Sequence, residues 1–360
     1  MYDELKAIGS LFDLKGTFYA CETITNGNVN STYKVTYLED GRPVSYIFQK
    51  INTYAFHRPE EIMMNIDRVS SHIHEHFPDE QTLVFYNAKD GRNYSYDAEG
   101  SFWRVMNYVD SVTFNQTEDP AVIENVGQAF GHFTMQLSGF DGNLLYETIP
   151  NFHNTSARLD NLFADAEKDV CGRVSHASHE LEYIRSVKDY ASELSIKFSS
   201  HQLPVRVTHN DTKCNNVLFD RVTKKPLVVI DYDTIMPGMA IYDFGDAVRF
   251  IANTADEDEP DISKVSFDLE KFRTFARGYI REVKDSITQE ELDSMGQATF
   301  SITIELASRF LDDYINGDVY FNTNYPEHNL VRTRCQIALA QDIYRKMDTI
   351  NAIVKEVSNY

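Results

Sequence analysis

Residues 208–216 read THNDTKCNN and hold His209, Asp211 and Asn216 in the spacing H-x-D-x-x-x-x-N. Asp231 follows Asn216 by fifteen residues, at the end of the apolar run VVI and inside the second polar stretch IDYDTIMPG. These are the parts that phosphoryl transfer to a hydroxyl requires. One carboxylate orients the attacking hydroxyl and accepts its proton, and oxygen ligands hold the Mg²⁺ that neutralises the phosphates. On this reading Asp211 is the base. Asn216 and Asp231 supply the amide and carboxylate oxygens that a hard cation prefers. The competing reading is two unrelated β-turns, because Asn and Asp stabilise turns by bonding their own backbone. Lys213 suits either a phosphate contact or a solvated loop position. Cys214 reads as a small apolar filler. The role of Asp233 stays open.

The elements around these stretches change character along the chain. Residues 1–110 read as one short helix followed by strands: GTFYACETI and STYKVTYLE about an Asn26-Gly27 turn, then VSYIFQKI, QTLVFY, NYSYD and SFWRVMNYV. A helix is inserted at HRPEEIMMNIDRVSSHIHEHF, with Pro59 at its start and Glu60 and Glu61 in its first turn. Beyond Ser111, helical periodicity covers 118–139, 157–168, 178–199, 267–284, 287–317 and 328–357. Short β runs over 204–231 interrupt it. The fold class expected is α+β with two lobes of protein kinase type. A small antiparallel β-rich N-lobe over 1–110 would join, through a hinge at 106–109, a larger helical C-lobe over 111–360.

The bulk properties narrow the partners. A chain of 360 residues is long enough for about two units of ~150 residues each. Its formal charge of −21 disfavours nucleic acid and anionic membranes as partners. The four cysteines form no C-x-x-C pair, which fits reduced thiols in a cytoplasmic protein better than a zinc or disulfide framework. The N-terminus lacks a basic region followed by an apolar stretch, so it does not read as a signal peptide. No segment offers the ~20 apolar residues of a membrane helix.

THND-x₄-N and IDYDTIMPG, with IYDFGDAVRF behind them, resemble the aminoglycoside phosphotransferase/choline kinase superfamily. Along nearly its whole length the chain is similar to the bacterial N-acetylhexosamine 1-kinases within it. GNVNSTYKV, RVTHNDTKCNNVLFD and YFNTNYPEHNLVRTR carry that likeness. The resemblance implies ATP as co-substrate, Mg²⁺ as cofactor, and phosphorylation of the anomeric hydroxyl of GlcNAc or GalNAc. It places Gly27 and Asn28 in the loop covering the nucleotide, with Asn30 nearby as a substrate contact, and puts Arg309 and Tyr320 against the sugar. The base would meet the connection between lobes, with Met106 and Tyr108 the best candidates. An alternative acceptor is an aminoglycoside, choline, homoserine or methylthioribose. The plain readings are a helix-face ion pair for Arg309, core packing for Tyr320 and a hairpin turn for the Asn-Gly loop.

Two departures from the family pattern stand out. The covering loop TNGNVNST has one glycine. The strand that ordinarily ends in a phosphate-binding lysine ends in Gln49-Lys50, whose side chains fall on opposite faces. The expectation is that Gln49 faces the phosphates and pairs with Asn65 in place of a Lys–Glu ion pair. A shifted register would instead use Lys50 with Glu61.

Overall fold

The computed structural model describes residues 1–25 and 29–359. Helix α1 (Tyr2–Gly9) precedes strands β1 (Thr17–Ile24), β2 (Ser31–Glu39) and β3 (Arg42–Lys50). Helix α2 (Pro59–His76) follows, then β4 (Ser95–Tyr96) and β5 (Phe102–Asn107). The five strands form one antiparallel sheet in the order β1-β2-β3-β5-β4. Its two faces serve different cores, as the two-residue period of a strand requires. Tyr46, Phe48, Trp103 and Val105 pack on one face with Leu5 and Ile8 of α1. Phe102 and Met106 point the other way, into the core shared with α2 and the later helices. QTLVFY does not become a strand; Phe85 makes a single bridge to Met106.

The remainder is helical: α3 (Pro120–Gln136), α4 (Thr155–Lys168), α5 (Ser178–Ser199), α6 (Ala240–Ile251), α7 (Leu269–Val283), α8 (Gln289–Asp293), α9 (Met295–Ile315), α10 (His328–Arg345) and α11 (Met347–Ser358). Helices α3 and α7 meet backbone to backbone. A Cβ at Gly278 would lie 2.1 Å from the Glu124 carbonyl oxygen, and one at Gly127 2.3 Å from that of Phe275. Helix α9 runs through the centre, buried along most of its length. The span 287–317, expected as one helix, divides at Ser294, which is the C-cap of α8 and the N-cap of α9. Helix α6 was not anticipated, although Asp243, Asp246 and Arg249 recur three residues apart in it; that polar stripe is buried and faces partners inside the protein rather than solvent.

Two small hairpin-like pairings hold the polar stretches. Strand β6 (Arg206–Thr208) pairs with β9 (Met236–Gly238), and β7 (Val217–Phe219) with β8 (Pro226–Val229). THNDTKCNN therefore leaves β6 and enters β7, while IDYDT leaves β8 and returns to β9. Two stretches distant in sequence are clamped side by side at both ends.

Candidate active site

The two loops are cross-braced by side chains whose polar atoms point at each other's backbone. His209 is fully buried, edge-on to Phe130 and Phe133. Its Nε2–H donates to the Ile230 carbonyl at 2.8 Å, and its Nδ1 accepts from the Asp211 amide at 3.3 Å. The Asn210 side-chain amide donates to the Thr234 carbonyl at 2.8 Å, and the Thr234 hydroxyl donates back to the His209 carbonyl at 2.7 Å. Each loop has one left-handed residue at its bend, Asn210 with φ 65° and Asp231 with φ 65°. Asn and Asp tolerate this conformation better than other side chains, at a cost of order 1 kcal/mol.

A carboxylate that the sequence reading left unassigned fixes the first loop from below. Asp243 on α6 is buried and accepts from the amides of His209 at 2.6 Å and Asn210 at 2.8 Å. Its own carbonyl accepts from the Thr212 hydroxyl at 2.7 Å. Burial pushes the Asp243 carboxyl up to about 6, against the opposing pull of His209 and the two amides.

Above this base, Asp211, Asn216 and Lys213 come together. The Asn216 amide nitrogen donates to the Asp211 carbonyl at 2.8 Å and to its carboxylate Oδ2 at 3.0 Å. That leaves the Asn216 Oδ1 oxygen directed elsewhere, as a metal ligand needs; the amide is oriented by its hydrogen bonds. Lys213 Nζ lies 2.7 Å from Asp211 Oδ1. Burial opposes the charge on Lys213, but Asp211 prevails and raises its pKa. Asp231 is open to solvent on one side. Desolvation on its other side, with Asp233 and Asp211 nearby, pushes its carboxyl up to about 7. Crowded oxygen donors of this kind fit a divalent cation. No cluster of three His, Cys, Asp or Glu side chains suited to a metal occurs among the described residues. The protein's share of a Mg²⁺ shell would therefore be Asn216 and Asp231, with phosphates and water as the rest. The Cys214 thiol is buried and pushed up to about 12, which leaves it inert.

The nucleotide side corrects the sequence reading. Gly27 and Asn28 lie outside the described residues. Gln49 does not meet Asn65. The Asn65 side chain is spent on the main chain, donating to Tyr146 O at 2.8 Å and Ile235 O at 3.0 Å and accepting from Tyr146 N at 2.8 Å. Nor does Lys50 meet Glu61. Lys50 lies on the α1 face, 4.0 Å from Asp97 and 5.7 Å from the Trp103 ring centre, while Glu61 pairs with Arg58. Gln49 instead accepts from Arg104 Nε at 2.9 Å, and Arg104 Nη1 pairs with Asp233. The same Asp233 accepts from the Asn30 amide at 2.7 Å, and Asn30 Oδ1 accepts from the Asn52 amide at 2.9 Å. Asn30 is thus engaged at both ends of its side chain and braces the site. Met106 is buried opposite Ile47, and the Tyr108 ring lies 4.5 Å beneath Lys34 Nζ.

Arg309 and Tyr320 fall on a wall beyond the first loop. The Arg309 guanidinium sits over Phe152 at 5.2 Å and Phe321 at 5.7 Å, and no carboxylate pairs with it among the described residues. Tyr320 is 69% exposed, which rules out core packing. Its loop is shaped by Asp313, whose carboxylate accepts from the amides of Val319, Tyr320 and Phe321 and from the Asn329 side chain, all at 2.8–2.9 Å. Next to this wall, His153 donates to the Asn210 carbonyl at 3.2 Å and to Glu305 at 2.8 Å. Both partners are acceptors, so both ring nitrogens carry protons. Burial disfavours that charge, but Glu305 overcomes it and raises the His153 pKa. Arg158 Nε is buried nearby without a partner among the described residues. Asp243, Arg104, His153 and Glu305 were all missed, and the role of Asp233 was left open, because each acts through a partner far along the chain.

A carboxylate poised beside a pair of hard oxygen donors, under a five-stranded antiparallel sheet, defines the class as phosphoryl transfer on a kinase-like fold. Over residues 20–278 the chain matches the phosphotransferase enzyme family, and it belongs to that family. Among solved structures it is similar to a microcompartment-associated aminopropanol kinase, with TM-score 0.63, 16% identity, and 97% of this chain and 98% of that one covered. An aminoglycoside phosphotransferase from Alicyclobacillus acidocaldarius matches at TM-score 0.61 and 13% identity, covering 97% and 96%. A spectinomycin phosphotransferase in complex with ADP and spectinomycin matches at TM-score 0.55 and 11% identity, covering 97% and 98%. At these identities the likeness is one of fold. No helix among the described residues is long and apolar enough to cross a membrane.

Proposed function

We propose that this phosphotransferase is an ATP-dependent kinase that phosphorylates the anomeric hydroxyl of an N-acetylhexosamine. The observation that carries the transfer chemistry is the Asp211 carboxylate, partly exposed, with Asn216 at 3.0 Å and Lys213 at 2.7 Å. Asp211 orients the acceptor hydroxyl and takes its proton. Lys213 holds that carboxylate in place while it waits. Asn216 and Asp231 hold Mg²⁺, which supplies charge neutralisation for the phosphates. The sheet residues 1–110 and the helical residues 111–360 act as two lobes about 106–109, and the adenine meets the backbone there.

The choice of acceptor rests on the far wall. A sugar ring needs an aromatic face and fixed donors to its hydroxyls. The exposed Tyr320 supplies the first, and Arg309, seated over Phe152 and Phe321, and Arg158 supply the second. An unpaired guanidinium at the acceptor wall disfavours a cationic acceptor such as choline or an aminoglycoside. An acceptor panel of N-acetylhexosamines, other sugars and amino alcohols, read by ADP release, tests this. Turnover confined to N-acetylhexosamines supports the reading. Turnover of choline or an aminoglycoside, with none on N-acetylhexosamines, refutes it.

A further inference from the structure

Phosphates bound under a kinase-like sheet need a fixed cation from that sheet. Strand β3 offers none on its inner face, because Gln49 stands there and Lys50 points to α1. The cation that does occupy this place comes from the neighbouring strand. Arg104 on β5 is the register partner of Gln49 on β3. Its side chain shares a sheet face with Phe102 and Met106, opposite that of Trp103 and Val105.

The guanidinium is held rather than merely buried. Nε is bound to Gln49 at 2.9 Å, and Nη1 to Asp233, with each ionic side chain only 2% exposed. Two anchors fix the plane of the fork. Nη2 has no acceptor among the described residues. Gln49 is in turn fixed by donating to Thr32 at 3.1 Å. Asp233 also holds Asn30, the residue before β2, so one carboxylate ties β5, the start of β2 and the second loop together. An ion pair in such a place is costly to desolvate and is weak as a stabiliser compared with apolar packing.

We propose that Arg104 is the phosphate-binding cation of this enzyme, with Asp233 as its counter-charge, in place of a strand lysine and its helix glutamate. The ligand class is the α- and β-phosphates of a nucleoside di- or triphosphate. The inference rests on the phosphotransferase reading above. It also accounts for α2. Freed of an ionic partner, Asn65 pins that helix to the backbone at Tyr146 and Ile235, so no swing of α2 would break the Arg104 pair.

Calorimetry with ADP and adenosine in the presence of Mg²⁺ separates phosphate binding from base binding. Removing Arg104 alone would strand a buried carboxylate, so the test uses the neutral pair Arg104→Gln with Asp233→Asn. A second variant, Gln49→Lys with Arg104→Gln, moves the cation across the register to β3. The neutral pair is expected to weaken ADP by about tenfold or more, the scale of one charge-assisted contact, and adenosine by less than about twofold. The moved lysine should recover part of the ADP affinity. Equal losses for ADP and adenosine, or no loss of either, would overturn the proposal while leaving the phosphotransferase reading intact. A wild-type protein that binds neither ADP nor ATP would overturn both.

Discussion

The two loops and the proposed acceptor wall are built on opposite plans. In the loops, the ring nitrogens of His209 and the side chains of Asn210, Thr234 and Asp243 are committed to backbone partners of the same assembly. On the wall, Tyr320 is exposed, Arg309 stands over two rings without a counter-charge, and Arg158 Nε has no partner among the described residues. The closed network fixes the geometry of one reaction. The open one leaves donors and the Tyr320 ring unspent, as the proposed acceptor role would require. Mutations in the first region should lower turnover for every acceptor, and mutations in the second should alter one substrate's binding.

The largest effect expected is from Asp231→Asn. Turnover should fall by at least about 10²-fold, the scale of losing one preorganised charge at a reacting phosphate. The metal-free protein should become more stable at pH 8. The sign follows from the raised pKa. Between about 4 and about 7 the folded state binds more protons than the unfolded one, so wild-type stability falls as pH rises through that window. The same shift makes Mg²⁺ compete with a proton, so metal affinity should weaken as pH drops below about 7. Calorimetric titration and thermal unfolding across pH check both. An unchanged Tm at pH 8 in the variant would break the carboxylate-crowding argument.

Next in size is the brace from α6. Asp243→Ala leaves two buried amides without acceptors, at about 1–3 kcal/mol each. Denaturant unfolding should show about 2–6 kcal/mol lost, and turnover should fall with every acceptor alike. His153→Leu should cost about 3–5 kcal/mol at low pH, because it leaves Glu305 buried and unpaired. The pair's contribution is complete below the ordinary histidine pKa and is lost as pH rises through the raised folded one. The variant and wild type should therefore converge at alkaline pH, and thermal melts across the pH range would detect it. The smallest effect should come from the wall. Tyr320→Ala should raise the acceptor KM by about tenfold, as expected for loss of an aromatic face, with KM for ATP and Tm unchanged. A parallel rise in KM for ATP would erase the contrast between the two regions.

What could be read in advance divides along the same line. Asp211 and Asn216 lie five residues apart in one loop, and Asp231 follows strand β8 by two residues, so local spacing was enough to bring them forward as one candidate site. The antiparallel sheet and most helices were legible from period and turn residues. The braces were not. Arg104 reaches Asp233 across 129 residues, Asp243 reaches His209 across 34, and His153 reaches Glu305 across 152. Nothing local marks a buried charge as one that will find a partner. The expected Gln49–Asn65 pair failed for that reason. Strand alternation correctly separated Gln49 from Lys50, but it could not show that β5 would present an arginine opposite. Helix α6 escaped notice although it has a helical period, because its polar stripe of Asp243, Asp246 and Arg249 is buried instead of facing solvent.

The account's central claim is that the braced first loop holds Asp211 as the base for transfer to an anomeric hydroxyl. Phosphorus NMR of the reaction of ATP with an N-acetylhexosamine, run side by side for wild type and Asp211→Asn, tests it most directly. The account predicts a sugar 1-phosphate resonance from wild type. It predicts formation slowed by about 10²–10⁴-fold in the variant, which should keep its ADP affinity and its Tm. Phosphate at another hydroxyl, or a variant that transfers at the wild-type rate, would contradict it.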